Sequence, residues 1–196
     1  MKRLALALAL SAIATGATAG NSLIVQNQAV AVAKSALTVK PTHEWNKMGA
    51  RPGRNSETWT LDGDTLNDLT FYGGIEDGRT LFREVDRRGK PLPRFSATML
   101  LTDIPSLLEN SYRVALGTPL MTIGKVEPAK LAGKKAVRFE YMFVRQGEDV
   151  RRRGEGYAVI MQGKLFMITF EAPVLYYFDA GIDNARQVIN SATLPS

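Results

Sequence analysis

The amino-acid sequence predicts an α/β protein of the α+β type, in which helices cover both faces of an antiparallel β-sheet. The first observation behind this prediction is the spacing of turns in the second half of the chain, near Gly133, Gly147 and Gly163. These glycines separate four strand-like segments. Strands joined by turns at such a spacing are typical of an antiparallel meander.

The second observation is that two of these segments are apolar on both faces. Residues 157–162 and 164–170 carry large apolar side chains at odd and even positions alike. An antiparallel strand with one face in water alternates between apolar and polar residues instead. Both faces of the sheet must therefore be covered, which predicts a sheet between helical layers.

Two amphipathic segments supply the helices. In the first, Asp103 can act as N-cap, Pro105 lies in the first turn, where proline is tolerated, and Gly117 ends the helix. The second segment follows Pro173. Apolar residues recur at three-and-four spacing in both. They are Ile104, Leu107, Leu108, Tyr112 and Ala115 in the first segment, and Leu175, Phe178, Ile182, Ala185 and Ile189 in the second.

The first half of the chain contributes shorter strands and one long loop. One strand ends at Pro41, residues 56–61 alternate with period two, and residues 66–74 follow as a partner strand after a turn. Residues 83–95 are polar and basic and contain two prolines. This composition predicts a surface loop.

Residues 1–19 have the pattern of a secretory signal peptide. Two basic residues precede a short apolar run, and an A-x-A cleavage motif ends at Ala19. The apolar run is shorter than the ~20 residues that a membrane span requires. We therefore expect cleavage near Ala19. The mature chain is expected to be a single globular domain, residues 20–196, with no transmembrane segment and a periplasmic or secreted location.

The composition excludes several classes of site and partner. The chain contains no cysteine, so thiol nucleophiles, disulfides and cysteine-ligated metal centres are impossible. The formal net charge is +6. Because an exported protein does not meet the chromosome, this charge does not indicate DNA binding, and we expect no nucleic-acid partner.

The pattern of elements resembles the PsbP-like superfamily. The points of resemblance are a strand leading to a tryptophan (LTVKPTHEW), a helix after a long loop, and a hairpin that enters the last helix (MQGKLFMITFEAPVLYYF). They span most of residues 37–192. The resemblance implies an α/β/α sandwich and a binding or assembly role. It places none of the family's functional residues at positions of this chain.

Three motifs that could carry chemistry are incomplete. His43 is the only histidine, and the chain has no G-x-S-x-G motif to accompany it in a catalytic triad. The segment DGDTLND, residues 62–68, lacks the fifth and sixth residues of a calcium loop. In GEGYAV, Val159 replaces the third glycine of a dinucleotide fingerprint, and the segment opens a strand. We therefore expect no metal and no cofactor.

The register of the meander decides which side chains share a face. A three-residue loop at Gly147–Asp149 places Phe139 opposite Tyr157. A two-residue loop instead places Glu140 opposite Glu155, a like-charge pair that destabilises a sheet. The first register is therefore predicted.

In this register one face of the sheet forms the main core, and the other face is more polar. On the polar face Gly154 and Gly156 leave a floor of backbone without side chains. Either a helix packs on the glycines and the charges pair at its rim, or the floor is a shallow polar binding site. The candidate binding residues are Arg138, Glu140, Arg152, Gly154, Gly156, Thr169 and Glu171.

The function predicted from these features is that of an exported, non-enzymatic binding or assembly accessory protein of the bacterial envelope. Its partner is expected to be another envelope protein or a small ligand. The alternative is a carboxylate-based hydrolase that acts on an extracytoplasmic saccharide or ester and uses Glu140 and Glu171. A third hypothesis is contact with an anionic surface through the basic loop, although such charge runs mostly serve solubility. The loop's basic residues are Arg87, Arg88, Lys90 and Arg94.

Overall fold

The computed structural model describes residues 20–118 and 120–195, so the predicted signal peptide lies outside the described residues. The strands are β1 (Ser22–Ile24), β2 (Val30–Ala31), β3 (Thr38–Val39), β4 (Trp45–Lys47), β5 (Ser56–Thr60), β6 (Asp68–Ile75), β7 (Thr122–Leu131), β8 (Lys134–Val144), β9 (Arg151–Met161) and β10 (Lys164–Pro173). The helices are α1 (Ile104–Ala115), which a 3-10 turn at Leu101–Asp103 precedes, and α2 (Tyr177–Asn190). Neither helix of this part of the chain is long and apolar enough to cross a membrane.

Eight strands form one antiparallel sheet in the order β1-β4-β5-β6-β10-β9-β8-β7, and β2 and β3 form a separate hairpin. The predicted meander is β7 to β10, in which each strand pairs with the next. Two of its turns, Ala132-Gly133 and Gln162-Gly163, have positive φ at both residues. This is the backbone of a two-residue type I′ hairpin. The predicted α+β class is confirmed.

The two helices pack into different core clusters. In the α1 cluster, apolar residues of α1 pack with Leu165 and Met167 of β10, and in the α2 cluster those of α2 pack with Phe166 and Ile168. These four sheet positions alternate along one strand, and successive strand residues point to opposite faces. The helix members are Ile104, Leu107, Leu108 and Tyr112 in the α1 cluster, and Phe178, Ile182, Ala185, Val188 and Ile189 in the α2 cluster.

Leu175, predicted as part of the second helical stripe, lies outside α2. The chain makes a tight turn at Tyr176, where φ is 78° and the N–H of Tyr177 donates to the carbonyl of Leu175 at 3.1 Å. A hydrogen bond between residues i and i+2 defines a γ-turn. The helix therefore begins only after this turn, and Leu175 is left 81% exposed.

The register predicted between β8 and β9 is wrong. Phe139 lies opposite Gly156, and Glu140 lies opposite Glu155, which is the pairing that like-charge repulsion argued against. The repulsion is offset because Arg138 donates to both carboxylates. The β9–β10 register agrees with a turn at Gln162-Gly163.

Candidate functional site

The structure divides the seven candidate residues between the two faces of the sheet. Tyr141 lies opposite Gly154, so Tyr141, and not Glu140, shares the face of the two glycines. Arg138 and Glu140 lie on the other face, and the prediction that all seven share one face is wrong. A slip of one residue moves every side chain of a strand to the opposite face. The residues that remain together are Arg152, Gly154, Gly156, Thr169 and Glu171.

Aromatic rings fill the space above the two glycines. A Cβ atom on Gly154 would overlap the ring of Tyr141, and one on Gly156 would overlap the ring of Phe139. Both rings belong to β8, the strand next to the glycines. Glycine within a strand permits such a close approach. The predicted open floor is therefore occupied by side chains, and a binding role for the glycines stays a prediction.

Arg138 and Glu140 belong to an ion-pair network beside α2. The buried carboxylate of Glu155 accepts a hydrogen bond from Arg138. It accepts two more from Arg186, one from Nε at 3.0 Å and one from Nη2 at 2.8 Å. Glu140 pairs with Arg138 at 2.9 Å and with Arg153 at 3.2 Å. Burial alone would raise the pKa of Glu155, but the hydrogen bonds from Arg186 and Arg138 lower it to about 2. The charges of this network satisfy one another.

A second polar group lies on the face of the α1 cluster and has Glu171 at its centre. Oε2 of Glu171 accepts hydrogen bonds from the hydroxyl groups of Tyr112 at 2.6 Å and Tyr141 at 3.0 Å. Nη2 of Arg145 lies 2.6 Å from Oδ2 of Asp68 and 3.6 Å from Oε1 of Glu171. One guanidinium thus bridges two carboxylates on neighbouring strands. We call these five residues the carboxylate cluster.

The ends of adjacent strands bring the cluster together. Asp68 is the first residue of β6, Glu171 lies near the end of β10, and Arg145 directly follows β8. In the antiparallel order β6-β10-β9-β8 the start of β6 and the ends of β10 and β8 lie at the same end of the sheet. Arg152, the second residue of β9, lies at the same end of the sheet, where its buried guanidinium donates to the carbonyl of Thr65 at 2.8 Å.

A pocket of about 630 Å³ opens at the carboxylate cluster. Asp68, Glu171 and Arg145 line it, and much of the remaining wall is apolar or aromatic, including Tyr72 and Phe82. A concave, largely apolar pocket with a few convergent polar groups is the usual form of a small-molecule site. We call it the carboxylate pocket.

Several buried polar atoms around the cluster have no hydrogen-bond partner among the residues that the structure describes. They are Oδ1 of Asp68, Oγ1 of Thr169, and Nε and Nη2 of Arg152. Buried polar groups are nearly always hydrogen-bonded, and an unpaired one is costly. Asp68 also lines the pocket, so one of these unpaired atoms belongs to a residue of the pocket wall.

The environment changes the protonation of the cluster. Burial raises the pKa of Asp68 to about 7, and the charge of Glu171 adds to this increase. Burial likewise raises the pKa of Tyr112 and Tyr141 well above the usual value, so both hydroxyl groups stay protonated and donate. Asp68 is therefore close to its midpoint at neutral pH.

The sequence predicts Glu171 as a candidate but not its partners. Asp68 falls in the calcium-like segment and in a predicted strand, Tyr112 falls in an apolar helical stripe, and Arg145 matches no motif. One signal was available. Glu171 follows an apolar strand that the sequence already predicts to be covered on both faces, and a buried carboxylate requires donors. Tyrosines on the covering elements can supply them.

Two of the five residues of the carboxylate cluster are of types that commonly bind metal ions. The cluster contains two carboxylates and neither histidine nor cysteine. In residues 20–118 and 120–195, no group of three histidine, cysteine or carboxylate residues is arranged to hold a metal ion.

Comparisons with known proteins identify the fold. A scan against protein-family models gave no match, and a search of curated proteins gave none. Among solved structures, the chain is similar to the solution structure of cyanobacterial PsbP (CyanoP) from Synechocystis sp. PCC 6803. That similarity has a TM-score of 0.54 at 15% identity and covers 93% of this chain and 96% of that chain.

Two further structures are less similar. A protein of Bacteroides thetaiotaomicron gives a TM-score of 0.48 at 12% identity, covering 88% of this chain and 50% of that chain. LpqN of Mycobacterium tuberculosis, described as involved in cell envelope biogenesis, gives 0.32 at 12% identity, covering 92% and 88%. The fold assignment rests on CyanoP alone. The resemblance predicted from the sequence is confirmed at the level of architecture: this chain has a PsbP-like fold.

Proposed function

We propose that this protein is an exported, non-enzymatic binding or assembly accessory protein of the bacterial envelope, and that the carboxylate pocket is its binding site. Export is supported by the signal-peptide pattern of residues 1–19. We also infer that α1 and α2 cover opposite faces of the sheet, since their clusters take alternate residues of β10. A small ligand, or one side chain of a partner protein, would enter beside α1.

One observation carries the proposal. The carboxylates of Asp68 and Glu171 lie side by side on adjacent strands, and among the described residues Oδ1 of Asp68 is buried without a partner, in a residue that lines a pocket of about 630 Å³. Burying charge next to like charge destabilises a fold unless something compensates it. Such arrangements cluster at functional sites.

The site supplies both parts of a recognition surface. Arg145 and the tyrosines hold Glu171 in place, so its carboxylate is preorganised. Asp68 offers one free acceptor, while the ring of Tyr72 and that of Phe82 form apolar wall. The geometry therefore suits a ligand with a hydrogen-bond donor at one end and an apolar body.

The test is capture of the ligand from envelope material. The exported protein is incubated with an envelope extract, separated from unbound material and analysed by native mass spectrometry. We expect an added mass on the wild type that Asp68→Asn and Glu171→Gln lose while remaining folded. Asp183→Asn, an exposed change on α2, is the matched control and should keep the added mass. Equal retention by all variants would contradict the proposal.

A carboxylate-based hydrolase is the second candidate. The pair that the sequence suggests, Glu140 and Glu171, does not converge, because the two side chains lie on opposite faces of the sheet. Asp68 and Glu171 are instead bridged by Arg145, and a carboxyl with a pKa of about 7 suits a general acid. Oε2 of Glu171 already accepts two hydrogen bonds, so binding is better supported. A panel of fluorogenic esters and glycosides, turned over by the wild type but not by Asp68→Asn, would favour the hydrolase.

Contact between the basic loop and an anionic surface remains a proposal, with fewer of the loop's basic residues to support it. Nη2 of Arg94 is engaged by both carboxylate oxygens of Glu84, at 2.8 and 3.0 Å. The support that remains comes from Arg87, Arg88 and Lys90, which are exposed.

A further inference from the structure

A second pocket, here called the basic pocket, lies beside the carboxylate pocket. Its volume is about 600 Å³, and Arg51, Phe82 and Arg83 line both pockets. It is distinct from the basic loop, because none of Arg87, Arg88, Lys90 and Arg94 lines it. The basic residues on its wall are Lys34, Arg51, Arg54, Arg79 and Arg83.

Each of the two acidic residues on this wall has a cationic partner outside the pocket. Both carboxylate oxygens of Glu84 accept hydrogen bonds from Arg94, and Glu76 pairs with Lys164 at 3.1 Å. Neither Arg94 nor Lys164 lines the basic pocket. The cations of the wall are thus left in excess within the pocket.

Those cations have few partners of their own. Nη2 of Arg51 lies 3.9 Å from the carboxylate of Glu57, and its Nη1 is buried without a hydrogen-bond partner. Within the described ranges, the side chains of Arg54, Arg79 and Arg83 form no ion pair at 4.0 Å or closer. Their hydrogen-bond donors therefore remain available to a ligand.

Other polar groups on the wall are occupied. Nδ2 of Asn55 donates to the carbonyl of Gly73 at 3.2 Å, and the hydroxyl of Thr80 donates to the carbonyl of Phe82 at 2.7 Å. The donors that a ligand meets in this pocket are therefore mainly cationic ones. Negatively charged acceptors bind such donors most strongly.

The cations come from three separate parts of the chain. Lys34 lies between β2 and β3, Arg51 and Arg54 precede β5, and Arg79 and Arg83 follow β6. Like charges that converge in a concave site repel one another, and a bound anion offsets that repulsion. Guanidinium forks match the paired oxygens of phosphate and carboxylate. Several of them together favour a dianion over a monoanion.

We propose that the basic pocket binds a phosphate monoester group, carried by a soluble metabolite or by a lipid headgroup. The inference goes beyond the proposed function and does not require the carboxylate cluster. Because the two pockets share a wall, a phosphate that carries an apolar chain can place its chain toward the carboxylate pocket.

The test is isothermal titration calorimetry of the exported protein with glycerol 3-phosphate at ~150 mM salt, where long-range charge effects are screened. The combined variant Arg54→Gln, Arg79→Gln, Arg83→Gln should lose at least about tenfold in affinity, the equivalent of one charge-assisted hydrogen bond. All three residues are exposed, so the variant should retain the thermal midpoint of the wild type.

The matched control removes the same charge from the basic loop, by Arg87→Gln, Arg88→Gln, Lys90→Gln. It should retain affinity within about twofold, because exposed charges at a distance are screened. Asp68→Asn should also bind glycerol 3-phosphate, which separates this proposal from the proposed function. An absence of binding by the wild type, or an equal loss in both triple variants, would overturn the inference.

A second titration identifies the source of the phosphate group. Dihexanoyl phosphatidic acid carries the same phosphate monoester on a short lipid, below the concentration at which it forms micelles. Tighter binding than that of glycerol 3-phosphate, with the gain lost in Phe82→Ala, assigns a lipid. Equal binding of both probes assigns a soluble ester. Each result supports phosphate binding in the basic pocket, provided that the arginine triple variant abolishes the binding of both probes.

Discussion

The hydroxyl of Tyr112 donates a hydrogen bond of 2.6 Å to Oε2 of Glu171 and so ties α1 to β10, 59 positions away in sequence. Tyr112 also packs its ring edge-on against Phe143 and Phe82. The contact therefore joins the apolar layer beneath α1 to the carboxylate cluster. Helix packing and carboxylate placement depend on the same side chain.

Replacing Tyr112 by phenylalanine should destabilise the protein by about 1–3 kcal/mol, because it removes one donor from a buried carboxylate. The ring and its packing are retained. Urea denaturation followed by fluorescence measures the change in the free energy of unfolding. Tyr176→Phe is the control: Tyr176 is 75% exposed, and its change should stay within about 0.5 kcal/mol. Equal effects of the two changes would argue against the Glu171 contact.

The pKa of Asp68, about 7 in the folded protein against 3.8 for an ordinary aspartate, predicts a specific pH dependence. Between these values the folded state binds more protons than the unfolded state, so stability falls as the pH rises from about 4 to about 7. The pKa of Glu155 is lowered from 4.5 to about 2, so its stabilising contribution changes only below about pH 4.5 and stays constant over pH 5–8. Over pH 5–8 the wild type should lose on the order of 1–3 kcal/mol relative to Asp68→Asn.

Denaturation midpoints of both proteins across this range measure the effect. Parallel pH profiles for the wild type and Asp68→Asn would show that Asp68 is ionised normally in the folded protein.

Gly156→Ala should destabilise the protein by about 1–3 kcal/mol, the usual result of overpacking, because its Cβ would overlap the ring of Phe139. Alanine is otherwise better than glycine inside a strand. Gly124→Ala provides the matched control in β7, where the nearest atom would be an ordinary contact at 3.5 Å. The cost of Gly156→Ala should shrink in a Phe139→Ala background. An unchanged cost there would place the obstruction elsewhere.

The signal-peptide prediction is checked by processing in the native host. Intact-mass analysis of exported protein should give an N-terminus at or near Gly20, after the A-x-A motif that ends at Ala19. Full-length protein held in the membrane fraction would contradict the prediction and, with it, the expected envelope location.

Part of the fold could be predicted because the deciding signals are local. The register of β9 with β10 follows from the turn at Gln162-Gly163, whose positive φ values define a two-residue hairpin. The like-charge pair between β8 and β9 is compensated by Arg138 and also by a residue far along the chain. Arg186, 31 positions from Glu155, helps to neutralise that carboxylate. A prediction based only on the two residues that face each other across the strands cannot include this contribution.

The same limit explains the candidate site. Glu171 is among the predicted candidates because it falls on the more polar face of the predicted meander. Asp68 and Arg145 became visible only when adjacent strand ends met, since 77 positions separate them. The predicted site was one residue out of register on β8, which exchanged Tyr141 for Glu140 and so replaced a hydrogen-bond donor with a charge.

Hydrogen–deuterium exchange of the exported protein, with and without the low-molecular-weight fraction of an envelope extract, tests the central claim most directly. If the carboxylate pocket is the binding site, protection should increase in the start of β6, in α1 and in the hairpin around Arg145, and Asp68→Asn should abolish it. Protection confined to the edge strand β7 would contradict the account. So would an unchanged exchange pattern in the presence of an extract from which the wild type captures a ligand.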